Sequence, residues 1–131
     1  MSKKKEKSVQ SIEIPKIILF IAKFLSVFSS KLTTLFAAKL FTTPIKHKIP
    51  KREHAMEHEK NKKTIKISEI NKEIVVYEYG KSDKKILLVH GWSGRGTQLV
   101  KIADELLKNG FMTISFDAPA HGKSKGNSSI M

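Results

Sequence analysis

The chain has 131 residues, 40% apolar and 28% charged, with a net charge of +13 and no cysteine. That composition is ordinary for a globular chain and excludes a disulfide framework and a thiolate metal site. Charge is concentrated at the front: residues 1–62 hold fourteen Lys and Arg against five acids (14 − 5 = +9), and residues 63–131 hold eleven against seven (11 − 7 = +4). Only Arg52 and Arg95 are arginines, and base readout and planar phosphate clamping favour arginine, so nucleic acid is not an expected partner.

In chain order, residues 1–10 form a basic tail (MSKKKEK and its continuation), expected to be disordered. Residues 11–43 are expected to form one long, basic, apolar helix, with Lys16, Lys23, Lys31 and Lys39 interrupting IILF, IA, FLSVF and LFAAKLF. Spanning a bilayer takes about twenty predominantly apolar residues, and no stretch of ten here is free of lysine. Three readings stay open: a helix lying at an anionic membrane surface with its lysines at the headgroups, one packing on the following domain, or a true anchor. A signal peptide fits less well, because Lys23 splits the apolar core.

Thr42, Thr43 and Pro44 end that helix, and residues 44–62 are expected to be a polar linker broken by Pro44 and Pro50. His54, Glu57 and His58 spell H-x-x-E-H, a zinc-hydrolase spacing. The surrounding run is almost wholly charged, with only Ala55 and Met56 to bury, so the expectation is a solvated segment and no metal. Thr64–Ser68 and Lys72–Gly80 alternate polar and apolar residues, predicting a hairpin.

Ile86–Val89 is a continuous apolar run, expected as a strand buried on both faces. Leu99, Ile102, Ala103, Leu106 and Leu107 form a helical stripe ended by Lys108, Asn109 and Gly110. A strand follows over Phe111–Phe116, with Met112, Ile114 and Phe116 on one face, broken by Asp117, Ala118 and Pro119. Strand, helix and strand make a parallel crossover, and ligands of such sheets sit beyond the carboxyl ends of the strands, where HGWSGRG (90–96) and FDAPAHGKS (116–124) fall.

These two segments resemble, in order and spacing, the loops after the third and fourth strands of the α/β-hydrolase superfamily. The resemblance implies an α/β fold, of which residues 63–131 are the N-terminal portion, an antiparallel hairpin followed by the crossover. It also implies an oxyanion-hole loop at His90, Gly91, Trp92, Ser93 and Gly94, with the Trp92 N–H as donor. The expected activity is hydrolysis of an ester, thioester or amide in a small acyl substrate, with no cofactor. The family's nucleophile, acid and base come from later strands, so they are expected beyond residue 131 and the chain alone is expected to be inactive. The strand at 85–90 would then be an open sheet edge.

Two serines imitate the nucleophile elbow G-x-S-x-G. Ser93 fails because Arg95 occupies the fifth position. Ser124, in Gly122-Lys123-Ser124-Lys125-Gly126, fits the letters. Four residues, Ala118 to His121, separate the strand from Gly122, however, and no helix follows, whereas the elbow needs a strand running directly into the turn. Asp117, His121, Gly122 and Ser124 are therefore expected to shape the second loop. A phosphate loop is excluded because Asp117 stands where its first glycine belongs. Ala120 departs from the family's usual glycine. The expected location is cytoplasmic, with or without membrane association. The rival from another class is a non-catalytic membrane-associated or interaction protein whose working part is the basic helix.

Overall fold

In the computed structural model, which describes residues 14–58 and 61–129, the alternating runs become β1 (Lys62–Ile67) and β2 (Lys72–Tyr79). A turn through Asn71, in the left-handed region at φ 47°, joins them as an antiparallel pair. β3 (Lys85–Leu88) and β4 (Met112–Asp117) are parallel, and α4 (Val100–Lys108) crosses between them. The sheet order is β1-β2-β4-β3, with β2 and β4 antiparallel. α4 stops where Gly110, at φ 78°, permits paired bonds from the Gly110 N–H to the Leu107 carbonyl and from the Phe111 N–H to the Leu106 carbonyl. This is the glycine-terminated helix end read from the sequence.

The register places Val75, Tyr77 and Tyr79 of β2 on the same face as Asp117, Ser115 and Thr113 of β4, with Ile86 and Leu88 of β3 alongside. The core lies on that face, where Met56, Val100 and Ala103 close over Val75 and Tyr77. The helical stripe is rotated from expectation: Val100 is buried, whereas Ile102 points out. β4 inverts expectation more sharply. Its polar face, Thr113, Ser115 and Asp117, is fully buried, and its apolar face, Met112, Ile114 and Phe116, is only half-buried. β3 is not covered on both sides either. It is an edge strand, and Leu87 and Val89 are each 60% exposed.

The segment read as a solvated linker enters this core. A short helix, α3 (His54–Glu57), follows a 3-10 turn at Lys51–Glu53 and buries Met56 completely. Glu53 is also fully buried. Arg95 Nε and Nη2 donate to its two carboxylate oxygens at 2.6 and 2.7 Å, and the Thr97 hydroxyl donates at 2.8 Å. Burial pushes this carboxyl pKa up, but the bonds from Arg95 and Thr97 and the guanidinium charge outweigh burial and leave it below the ordinary value. Desolvation is therefore offset by three charge-assisted or polar bonds, the only condition under which a buried carboxylate persists.

By its contacts the chain forms two compact units, Met1–Lys39 and Leu40–Met131. The expected single long helix is two: α1 (Lys16–Phe28) and α2 (Ser30–Thr42), the latter running across the unit boundary. Ser29 is the break, in extended conformation at φ −164° and ψ 125°. Its N–H closes α1 on the Leu25 carbonyl, and its Oγ accepts the Leu32 N–H, capping α2. Serine competes with helix through such local bonds, so Ser29 and Ser30 favour a cap over continuation. No helix among the described residues is long and apolar enough to cross a membrane. The basic tail at 1–10, and residues 11–13 of the expected helix, lie outside the described residues.

Candidate functional site

The two loops meet beyond the carboxyl ends of β3 and β4. The first leaves β3 as a tight turn in which the Gly94 N–H donates to the Gly91 carbonyl at 2.9 Å, with Ser93 at φ 53°. His90 anchors it. The Ala118 N–H donates to His90 Nε2 at 3.0 Å, so Nε2 is the acceptor and Nδ1 carries the proton, which it gives to the Gly91 carbonyl at 2.7 Å. One imidazole thus ties the first loop to the second. The Ile45 N–H donates to Ser93 Oγ at 3.1 Å, binding residues after α2 to the same turn. Trp92 projects outward, 55% exposed, stacked on Phe41 at 5.6 Å and edge-on to His121 at 5.1 Å.

The second loop is built around Asp117. Its carboxylate accepts the Gly96 N–H at 2.6 Å, the Lys123 N–H at 2.7 Å and the Tyr77 hydroxyl at 2.9 Å. It therefore joins both loops to β2. Burial, then the neighbouring carboxylate, raises the Tyr77 pKa far above its usual value, which keeps the phenol a donor. Two glycines make room for this arrangement. A Cβ at Gly122, whose φ is 45°, would lie 2.3 Å from the Asp117 carboxylate, and one at Gly96 would lie 2.9 Å from the Tyr77 ring. Ala120 holds φ 66° while buried, so a residue with a Cβ occupies a position suited to glycine.

Ser124 is buried, and its hydroxyl is committed twice, donating to the Asp117 carbonyl at 2.6 Å and accepting the Val75 N–H at 2.8 Å. With its proton on the Asp117 carbonyl and no imidazole bonded to it among the described residues, the Ser124 hydroxyl ties the loop to the end of β4 and to β2. His121 is buried, and its Nδ1 donates to the Pro119 carbonyl at 3.1 Å. Its ring lies 5.0 Å from that of His90, and its Nε2 has no partner among the described residues.

Gly91 and Trp92 stand apart from this network. The Trp92 N–H donates to no group among the described residues, lying in the turn rather than in a helix or strand. A Cβ at Gly91 would meet nothing within 4 Å, and its φ is not left-handed. Packing thus accounts for glycine at 94, 96 and 122 but not at 91.

The helical turn that would bring His54 and His58 of H-x-x-E-H together is not completed. α3 ends at Glu57, His58 is already extended, and Glu57 is paired with Lys123. No group of three or more potential ligands occurs among the described residues. A separate open groove of about 320 Å³, lined by Lys66, Asn71, Lys72, Glu73, Lys125 and Gly126, offers no hydroxyl or thiol nucleophile, and Lys125 there is paired with Glu73 at 2.6 Å. Sequence reasoning missed Tyr77, Glu53, Arg95 and Thr97 as supports of the loops. Only the isolation of two arginines among many lysines marked Arg95 as unusual.

No protein-family model matches the chain, and no curated protein matches it. Among the solved structures similar to part of it are the following two. A thioesterase domain from the curacin biosynthetic pathway matches at 22% identity and a TM-score of 0.45. The crystal structure of a bromoperoxidase from Bacillus anthracis matches at 28% identity and a TM-score of 0.44. Each likeness covers 49% of this chain and 23% of the other, so the chain spans less than a quarter of either protein. The strand order and the cover of helices on one face define a mixed α/β unit.

Proposed function

We propose that residues 63–131 belong to an α/β-hydrolase that cleaves an ester, thioester or amide, and that the turn after β3 is half of its oxyanion hole. The observation that carries this reading is the Trp92 N–H, unused by the described residues and placed at the carboxyl end of a parallel strand beside a glycine that packing does not require. In acyl transfer, charge develops on the carbonyl oxygen as a nucleophile attacks. A fixed amide aimed at that oxygen stabilises it without reorganisation, and losing one such donor costs about 100- to 1000-fold in rate. The His90 and Gly94 bonds hold the turn, which supplies the preorganisation. The bare Cα of Gly91 leaves room for the substrate carbonyl.

This reading requires a nucleophile, a base and an acid besides the residues described. The Ser124 hydroxyl is committed within the second loop and His121 Nδ1 is bonded to the Pro119 carbonyl, and this reading gives neither residue one of these roles. The expected result is that residues 1–131 alone do not turn over p-nitrophenyl esters. In a polypeptide that supplies the triad, replacing the Trp92 amide by an ester lowers kcat about 100-fold or more. Gly91→Ala in the same polypeptide should lower kcat/KM while leaving the urea midpoint in place. Serine-directed turnover by residues 1–131 that Ser124→Ala abolishes would overturn the assignment, as would an amide-to-ester change at Trp92 without effect on kcat.

A further inference from the structure

From Ile14 to Arg52 the chain carries eight Lys and Arg and no Asp or Glu. Within this acid-free run, α1 exposes Ile17, Phe20, Phe24, Val27 and Phe28, each more than half accessible, and none of its residues is buried. At 100° per residue these five fall within an arc of about 100°, one continuous apolar stripe. Phe24 and Phe28 lie ring to ring at 4.9 Å along it. Lys16 and Lys23 border the stripe on one side, where their aliphatic stems can lie along apolar surface while the ammonium groups stay in water.

We infer that α1 is a docking helix for an anionic lipid surface, lying in the boundary between headgroups and acyl chains with Phe20, Phe24 and Phe28 inserted and Lys16 and Lys23 at the headgroups. Length excludes the spanning alternative for this helix. Thirteen residues rise about 20 Å, against a hydrocarbon core of about 30 Å. Charge selects lipid over a second copy of the chain, because two acid-free cationic surfaces repel one another. It also selects anionic over neutral lipid, since each lysine held near such a surface strengthens binding about fivefold. The inference is independent of the hydrolase reading and stands or falls without it.

The test is co-sedimentation of the whole chain with vesicles of phosphatidylcholine alone and with roughly one-third phosphatidylglycerol, an anionic fraction sufficient to set a negative surface potential. The expected result is binding about tenfold or more tighter to the anionic vesicles, and weakened at high salt, where screening shortens to about 3 Å at 1 M. Phe20→Ser with Phe24→Ser should reduce that binding about tenfold or more, and Lys16→Glu with Lys23→Glu should erase the preference for anionic lipid. Unchanged urea midpoints in both variants show that the sheet is intact. Equal binding to both vesicle types, binding to neither, or anionic binding untouched by the phenylalanine pair would overturn the inference. So would a dimer found by sedimentation equilibrium that the same pair dissolves, since the stripe would then belong to a second copy.

Discussion

Asp117 holds three segments at one carboxylate, and its environment shows why the second loop has its sequence. Gly96 and Gly122 are glycines because the carboxylate and the Tyr77 ring leave no space for a Cβ, and Tyr77 spends its buried hydroxyl on the same group. Asp117→Ala would leave the Gly96 N–H, the Lys123 N–H and the Tyr77 hydroxyl without their acceptor. At about 1–3 kcal/mol for each buried unsatisfied donor, the expected loss is about 3 kcal/mol or more, read as a lower urea midpoint. A loss below about 1 kcal/mol would mean that water replaces the carboxylate. That a loop follows β4 was legible in the sequence, because proline, alanine and glycine follow a strand there. Tyr77 was not, since its partner lies forty residues away and no local pattern signals the pairing.

At the scale of elements, alternation was legible but the direction of burial was not. β4 reads as a strand with an apolar face, and the hydrophobic effect alone would turn Met112, Ile114 and Phe116 toward the helix. The register with β2 places Thr113, Ser115 and Asp117 there instead, because Asp117 must reach Tyr77 and Gly96. One consequence is that the hydroxyls of Thr113 and Ser115 are buried without partners among the described residues. Thr113→Val keeps the side-chain shape and β-branching while removing an unsatisfied oxygen, so it should raise stability by about 1 kcal/mol in urea unfolding. A destabilised variant would show that the hydroxyl is bonded in solution. β3 carries the opposite burden. Leu87 on this edge strand and Val89 just after it are exposed, a template for pairing with other chains. Leu87→Lys should therefore reduce concentration-dependent association in light scattering while moving the unfolding midpoint by less than about 0.5 kcal/mol. Unchanged association would place the contact elsewhere. The helix break at Ser29 was the other illegible feature, since a periodic apolar pattern runs through it and only the capping bonds reveal the interruption.

For the whole molecule, the segment composition misled most was the charged stretch between the helices and the sheet. A run of lysine, histidine and glutamate reads as solvated, yet Glu53 lies at zero exposure because Arg95, 42 residues later, supplies a matched fork. Burial of a carboxylate depends on a partner fixed only by the completed fold, so local sequence cannot announce it. The pair makes the stability of the chain depend on acid in a defined direction. The folded-state pKa of Glu53 lies below its ordinary value, so its contribution is fully present above the unfolded carboxyl pKa of about 4.3 and is lost as pH falls through the lower folded value. Glu73 is shifted the same way by hydrogen bonding to Lys125, but that pair is exposed to water and salt and adds little. Urea midpoints should therefore be level from neutral pH to about pH 5 and fall below it. Glu53→Gln leaves the Arg95 guanidinium buried without a counter-charge. It should cost about 3–5 kcal/mol at neutral pH and flatten the acid limb, because the group whose protonation drives it is gone. An acid limb equally steep in Glu53→Gln would assign the pH dependence to other carboxylates and leave the Glu53–Arg95 pair with a structural role alone.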